Sequence, residues 1–160
     1  MIYLQLLLLL LVANGAPIIA SNLLGERFNT PVDLGAVLKK DGRPIFGPTK
    51  TIRGILAALL ITSIVAHLIG LGWFIGLFMA LYAMLGDLLS SFIKRRANIE
   101  PSDMALGLDQ VPESLLPLLV VMSHVEINLL EVILLVAAFV VIEINLSRIL
   151  FYLHIRKRPY

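Results

Sequence analysis

Apolar residues in this chain come in long blocks separated by short polar stretches, and the block lengths predict helices rather than strands. Residues 2–20, IYLQLLLLLLVANGAPIIA, form the first run. A second covers 51–71 and a third 73–93, joined by the uncharged turn IGLG. Each is close to the roughly 20 residues that a helix needs to cross about 30 Å of hydrocarbon. The first is read as a retained helix rather than a cleaved leader, because no Lys or Arg precedes its apolar core and the first, Arg27, follows it. Asn14, Gly15 and Pro17 interrupt it and predict a bend. Asn14 itself is expected to hydrogen-bond a neighbouring helix, with contact to a lipid head group as the alternative.

From 111 to 153 the apolar pattern runs on for 43 residues, broken only by the polar stretch 123–128. Charge placement divides it. All thirteen Lys and Arg fall in three places: the first connection with the helix start that follows it, the turn at 94–96, and the end at 148–158. The positive-inside rule sets all three on the cytoplasmic face, so an even number of crossings separates the second from the third. At 1.5 Å per residue the stretch reaches roughly 65 Å, enough for two crossings. The expected fold is all-α, a polytopic membrane helical bundle of five transmembrane helices with its N-terminus outside and its C-terminus cytoplasmic. A short fourth span lies near 112–123 and a long fifth near 129–153. The fourth, too short to cross unaided, is expected to be tilted, re-entrant or enclosed by its neighbours.

Composition agrees with this class. Of 160 residues, 59% are hydrophobic and only 15% charged, and the mean hydropathy of +0.93 is far above that of an ordinary soluble domain. The chain reads as one domain, 1–160, in a cell (inner) membrane. It has no cysteine, which excludes disulfides and thiolate metal sites. No basic stretch has the length or aromatic interleaving of a nucleic-acid surface.

Candidate chemistry concentrates between Gly86 and Gln110, GDLLSSFIKRRANIEPSDMALGLDQ. On a helix Asp87, Ser90 or Ser91, and Lys94 share one stripe, and Asp103 and Asp109 follow beyond the turn. Carboxylates beside hydroxyls and cations at a membrane surface suit divalent metal ions holding a polyphosphate. Lys50 and Arg53 sit three apart in the first turn of the second span, where cations oppose the helix dipole. They are either flanking cytoplasmic charges or half of an anion site. The connection 21–49 is long for a loop without secondary structure, as binding loops often are. The active site is therefore expected where cytoplasmic loops near 21–50 and 94–112 meet. In the fifth span Asn145 and Arg148 share a face and are expected to line a pocket, with an internal Glu143–Arg148 pair as the alternative. His67, with no second ligand at metal spacing, is read as structural.

GDLLSSFIKRR followed by D(x5)DQ, together with DGRPIFGPTKTIRG at 41–54, resembles the CDP-archaeol synthases, small membrane cytidylyltransferases related to the phosphatidate cytidylyltransferases. The resemblance covers nearly the whole chain, including the ending RKRPY. The His-Gly-Gly element of the larger enzymes is missing before Asp109, where Gly107 and Leu108 stand, and Gln110 replaces their Arg, as in the smaller archaeol-type branch. The resemblance implies transfer of CMP from CTP to a lipid phosphate, 2,3-bis-O-geranylgeranyl-glycerol 1-phosphate or a relative, giving CDP-lipid and pyrophosphate with Mg²⁺. Asp87 and Asp109 would then be metal ligands with Asp103 a third. Lys50, Arg53, Lys94 and Arg95 would hold the triphosphate, Thr51, Ser90 and Ser91 would add hydroxyl contacts, and Gly54 close backbone approach. Asp87, Asp109, Lys50 and Lys94 would carry catalysis. Membrane lipids would surround the enzyme, and a homodimer is left open.

Two other classes compete. A small transporter would place charges near the midplane and show related halves, whereas the polar residues here gather at one face and no repeat is present. A non-enzymatic membrane subunit would leave the aspartates as solvated loop charges. Release of pyrophosphate from CTP only with both a lipid phosphate and Mg²⁺ distinguishes the enzyme from either.

Overall fold

The computed structural model describes residues 1–101, 103 and 105–153. The final RKRPY lies outside the described residues. Among the described residues there are five helices: α1 (Ile2–Leu24), α2 (Ile52–Leu68), α3 (Trp73–Arg96), α4 (Gln110–Val121) and α5 (Leu129–Tyr152). Among the described residues there is no β-strand, only two isolated bridges inside the connection before α2. α1, α3 and α5, of 23, 24 and 24 residues, are long and apolar enough to cross a membrane. α2 has 17 residues and α4 only 12. The shortness expected of the fourth helix is observed, and α4 packs chiefly on α3 and secondarily on α5.

Successive helices run in alternating directions. At one end Tyr3 near the start of α1 donates to Glu131 in the first turn of α5 at 2.5 Å, and Gln5 donates to the carbonyl of Ile69 after α2. At the other end meet the close of α1, the starts of α2 and α4, and the last turns of α3 and α5.

Buried positions recur at helical spacing, and small residues set how closely the helices approach. On α1 they are Leu6, Leu9, Leu10, Ala13, Ala16 and Ala20. Leu6, Leu9 and Leu10 enter a core with Met79, Leu118, Val121 and Phe139, while Ala13 and Ala16 pack with Ala58, Ala80 and Ala83. Lipid supplies little hydrophobic drive between helices, so close contact of small residues carries the association. The tightest approach is at Gly86, where an added Cβ would lie 2.3 Å from the Pro112 carbonyl oxygen and 2.6 Å from the Glu113 nitrogen. No side chain fits there.

Two expectations need correction. Asn14 does not reach another helix, but donates to the Leu10 carbonyl of its own helix at 3.0 Å, which keeps its amide paired without a partner span. Asn145 likewise turns back to Val141 and is exposed, as is Arg148. The inward face of α5 at this end is instead Glu143, Leu146, Ser147 and Leu150. Glu143 is joined to Ser147 at i+4, a neighbour on the same stripe, which Arg148 at i+5 is not. His67 stacks on Trp73 with ring centroids 4.5 Å apart, a packing role as expected.

Candidate active site

Thr51 starts α2 as its N-cap, its hydroxyl accepting from Gly54 N–H at 3.3 Å. Gly54 is needed for proximity, since a Cβ there would stand 3.1 Å from that hydroxyl and 3.2 Å from the ring of Pro17. Pro17 and Gly54 thus bring α1 and α2 together just below the polar end.

The two cations of this turn have different partners. Lys50 donates to both oxygens of Asp87, at 2.6 and 2.7 Å. Burial disfavours its charge, but the Asp87 carboxylate, helped by the fields of Glu113 and Asp109, outweighs that and raises its affinity for the proton. Arg53, expected beside the phosphates, lines the same cavity as Lys50 and donates to the carbonyls of Gly25 and Arg27 at 2.6 and 2.5 Å and to Asn29 Oδ1 at 3.1 Å. The conflict of cations with the α2 dipole is therefore relieved for Arg53 by the negative end of α1, and for Lys50 by an aspartate of α3.

The last turns of α3 carry the second half. Ser90 donates to the Asp87 carbonyl at 2.9 Å, and Ser90 and Ser91 are both buried. Lys94 donates to both Asp109 oxygens at 3.0 and 2.9 Å and to the Asp103 carbonyl. Ala105 N–H also donates to Asp109, at 3.0 Å. Arg95 is buried, and its Nε and Nη1 meet no hydrogen-bond acceptor among the described residues. Gly47 passes close by, its missing Cβ 3.8 Å from Nη1. Unfilled donors on a buried cation are costly unless an anion accepts from them. Arg96 points elsewhere, to Asp41 at 3.0 Å and the Pro44 carbonyl at 2.5 Å, clasping the first connection to the end of α3.

That connection is ordered by Asp33. Its carboxylate accepts from Gly35, Phe46 and Gly47 N–H groups at 3.1, 2.9 and 2.9 Å. Burial alone would raise its pKa, but the backbone donors together outweigh burial and lower it.

A cavity of about 490 Å³ opens between these elements, lined at its polar end by Lys50, Thr51, Asp87, Glu113 and Glu143. Glu113 and Glu143 were not among the expected site residues. Glu113 shares the buried stripe of α4 with Gln110, Ser114, Pro117, Leu118 and Val121. A carboxylate on a buried periodic stripe of an apolar helix was the signal that could have found it. Gln110 links the halves, donating to Glu143 at 3.1 Å and accepting from Gly107 N–H at 3.0 Å, beside Asp109. The structure thus brings together Lys50, Asp87, Lys94 and Asp109 at one end of the bundle. Thr51, Arg53 and Gly54 also line the cavity; the Thr51 hydroxyl caps α2 and Arg53 braces the end of α1.

Among the described residues no three acidic or histidine side chains form a ready-made metal cage. Mg²⁺ commonly takes one or two carboxylates and completes its shell with substrate phosphate and water. The all-oxygen donors Asp87, Glu113 and Glu143 around one cavity fit that pattern.

An apolar helical bundle that opens a carboxylate- and lysine-lined cavity at one end is laid out as an intramembrane enzyme acting on phosphate groups. A family model described as CarS-like CDP-archaeol synthase matches residues 1–160. The chain belongs to the CDP-archaeol synthase family, and with it to the cytidylyltransferases. It is similar to the CDP-archaeol synthase of Sulfolobus acidocaldarius, 34% identical over 157 residues, covering 94% of this chain and 91% of that protein. The match to the enzyme of Pyrococcus furiosus is 37% over 108 residues and spans 61% of this chain and 60% of that protein. A solved structure described as an intramembrane enzyme for archaeal membrane lipids biosynthesis superposes with a TM-score of 0.74 at 31% identity, over 89% of this chain and 90% of that one.

Proposed function

We propose that the chain, as one domain, transfers CMP from CTP to a lipid phosphate of the archaeol type at the cytoplasmic face of the cell membrane. The observation that carries this is the Lys50–Asp87 pair, drawn from remote segments to the polar end of an open cavity, with a second lysine–aspartate pair, Lys94–Asp109, at the same end of the bundle. Five crossings with the N-terminus outside fit the alternating helix directions and the placement of Lys and Arg in the sequence.

In this reading Asp87 and Asp109 are the principal metal ligands with Asp103 a third, and Glu113 and Glu143 line the same cavity as Asp87. When bound, Mg²⁺ supplies charge neutralisation to the phosphate oxygens. Lys50, Lys94 and Arg95 bind the triphosphate, and the unfilled nitrogens of Arg95 are satisfied by its oxygens. An oxygen of the lipid phosphate attacks the α-phosphorus of CTP, forming a new P–O–P bond. The bond to the β-phosphate breaks, and its electron pair leaves with pyrophosphate. The attacking oxygen is already anionic, so no general base is required, and the protein's work is positioning and charge stabilisation. The test is pyrophosphate release by the purified protein over a panel of lipid phosphates, with CTP and Mg²⁺. Equal release without lipid phosphate, or none with any of them, overturns the reading.

A further inference from the structure

The connection between α1 and α2 is tied down at both ends where the helices leave the apolar layer. Val32 N–H donates to the Lys50 carbonyl at 2.7 Å and Ile52 N–H to that of Thr30 at 3.0 Å, fixing its course to the start of α2. At the end of α3, Arg43 and Arg96 clasp each other's backbone. Arg43 Nη1 donates to the Arg96 carbonyl at 3.1 Å, and Arg96 Nη2 to the carbonyls of Arg43 and Pro44 at 3.3 and 2.5 Å. The 24 residues of α3 reach roughly 36 Å against a hydrocarbon core of about 30 Å, so its last turn and the clasp project into the headgroup layer.

Between these ties the outward side chains are apolar or cationic, and they stand apart from the cavity lining. Phe28, Leu34 and Val37 are 75, 76 and 55% exposed. Phe28 and Leu34 also have φ of 56° and 51°, a left-handed backbone that is costly for bulky residues and is ordinarily filled by Gly or Asn. At Leu34 the neighbour is the cause, because Asp33 turns inward to accept from Gly35, Phe46 and Gly47 N–H groups. Apolar residues at strained, exposed positions are accounted for by apolar surroundings. The acids of the connection are all engaged, Glu26 with Asn29, Asp33 with backbone and Asp41 with Arg96. Lys39 and Lys40 are exposed in the turn closed by the Gly42 N–H to Leu38 carbonyl bond, and have no ion pair among the described residues.

We propose that this connection is an interfacial anchor for an anionic bilayer surface, with Phe28, Leu34 and Val37 entering the boundary of headgroups and acyl chains and Lys39 and Lys40 binding lipid phosphates. That layer offers hydrocarbon and negative charge side by side, which matches both kinds of side chain. The anchor depends on the chain lying in a membrane and is independent of the transfer chemistry.

The chain has no cysteine, so Leu34→Cys takes a single bimane label. In nanodiscs containing phosphatidylglycerol the label should be quenched by a nitroxide near the headgroup end of the acyl chain and shielded from aqueous acrylamide. Nitroxide phosphatidylglycerol should reach half-maximal quenching at about tenfold lower mole fraction than nitroxide phosphatidylcholine, within the reach of two lysines at about fivefold each. In Lys39→Gln/Lys40→Gln that preference should vanish. The same readings from Val37→Cys keep the test independent of the strained position. Acrylamide quenching without nitroxide quenching at both positions places the surface in water, open to a soluble partner, and overturns the anchor. So does equal quenching by the two lipids in the parent, or a preference that survives loss of both lysines.

Discussion

Gly86→Ala is the sharpest single perturbation of the site. The new methyl would lie 2.3 Å from the Pro112 oxygen, 2.4 Å from its carbonyl carbon and 2.6 Å from the Glu113 nitrogen. All three are backbone atoms and cannot turn aside. Ordinary carbon–oxygen contacts begin near about 3.3 Å, so α3 and α4 must part by roughly 1 Å. Overpacking of this kind costs about 1–3 kcal/mol, and a clash against backbone belongs at the upper end. The shift also separates Asp87, the next residue, from Glu113 across the cavity, and misplacement by about 1 Å can cost around a hundredfold in rate. Thermal unfolding in detergent and kcat/KM for pyrophosphate release measure the two effects. Gly15→Ala is the matched control, because its Cβ meets open space, and it should be neutral or gain up to about 1 kcal/mol from helix propensity. A Gly86→Ala protein with the stability and turnover of the parent would mean that the α3–α4 contact does not position the site.

The two buried arginines should separate folding from binding. Arg53→Ala strips donors from the carbonyls that end α1 and should lower stability by about 3 kcal/mol, seen as a fall in Tm. Arg95→Gln should leave Tm nearly unchanged and raise KM for CTP at least about tenfold, because two of its nitrogens have no acceptor to lose among the described residues. Asp87→Asn should reduce kcat about a hundredfold or more, measured at saturating CTP. Asp33 has its pKa lowered by backbone donors, so its stabilisation is complete above the 3.8 of an unperturbed aspartate and is lost as pH falls through the lower folded value. Asp33→Asn should therefore be less stable at neutral pH and show a flatter acid limb in Tm against pH. An unchanged limb would mean that the clasp around Phe46 and Gly47 does not depend on the charge.

Helix number, the short fourth helix and the gathering of charge at one end were all legible along the chain, because each depends on local quantities. Apolar run length sets a helix, and Lys and Arg placement sets which ends face together. Asp87, Ser90 and Lys94 could be placed on one stripe by the 3.6-residue period alone. Pairing is a different matter. Lys50 meets Asp87 across 37 positions, and Gln110 meets Glu143 across 33. Both pairings depend on which helices pack together, here decided by glycine contacts such as Gly86 against Pro112. For the same reason Arg53 and Lys50, alike in the sequence and both on the cavity, take different partners. One faces the end of α1 and the other the carboxylate of α3. Glu113 entered the site only when α4 was laid on α3, since a carboxylate's role in a membrane bundle is set by what stands opposite it rather than by its own neighbours in the chain.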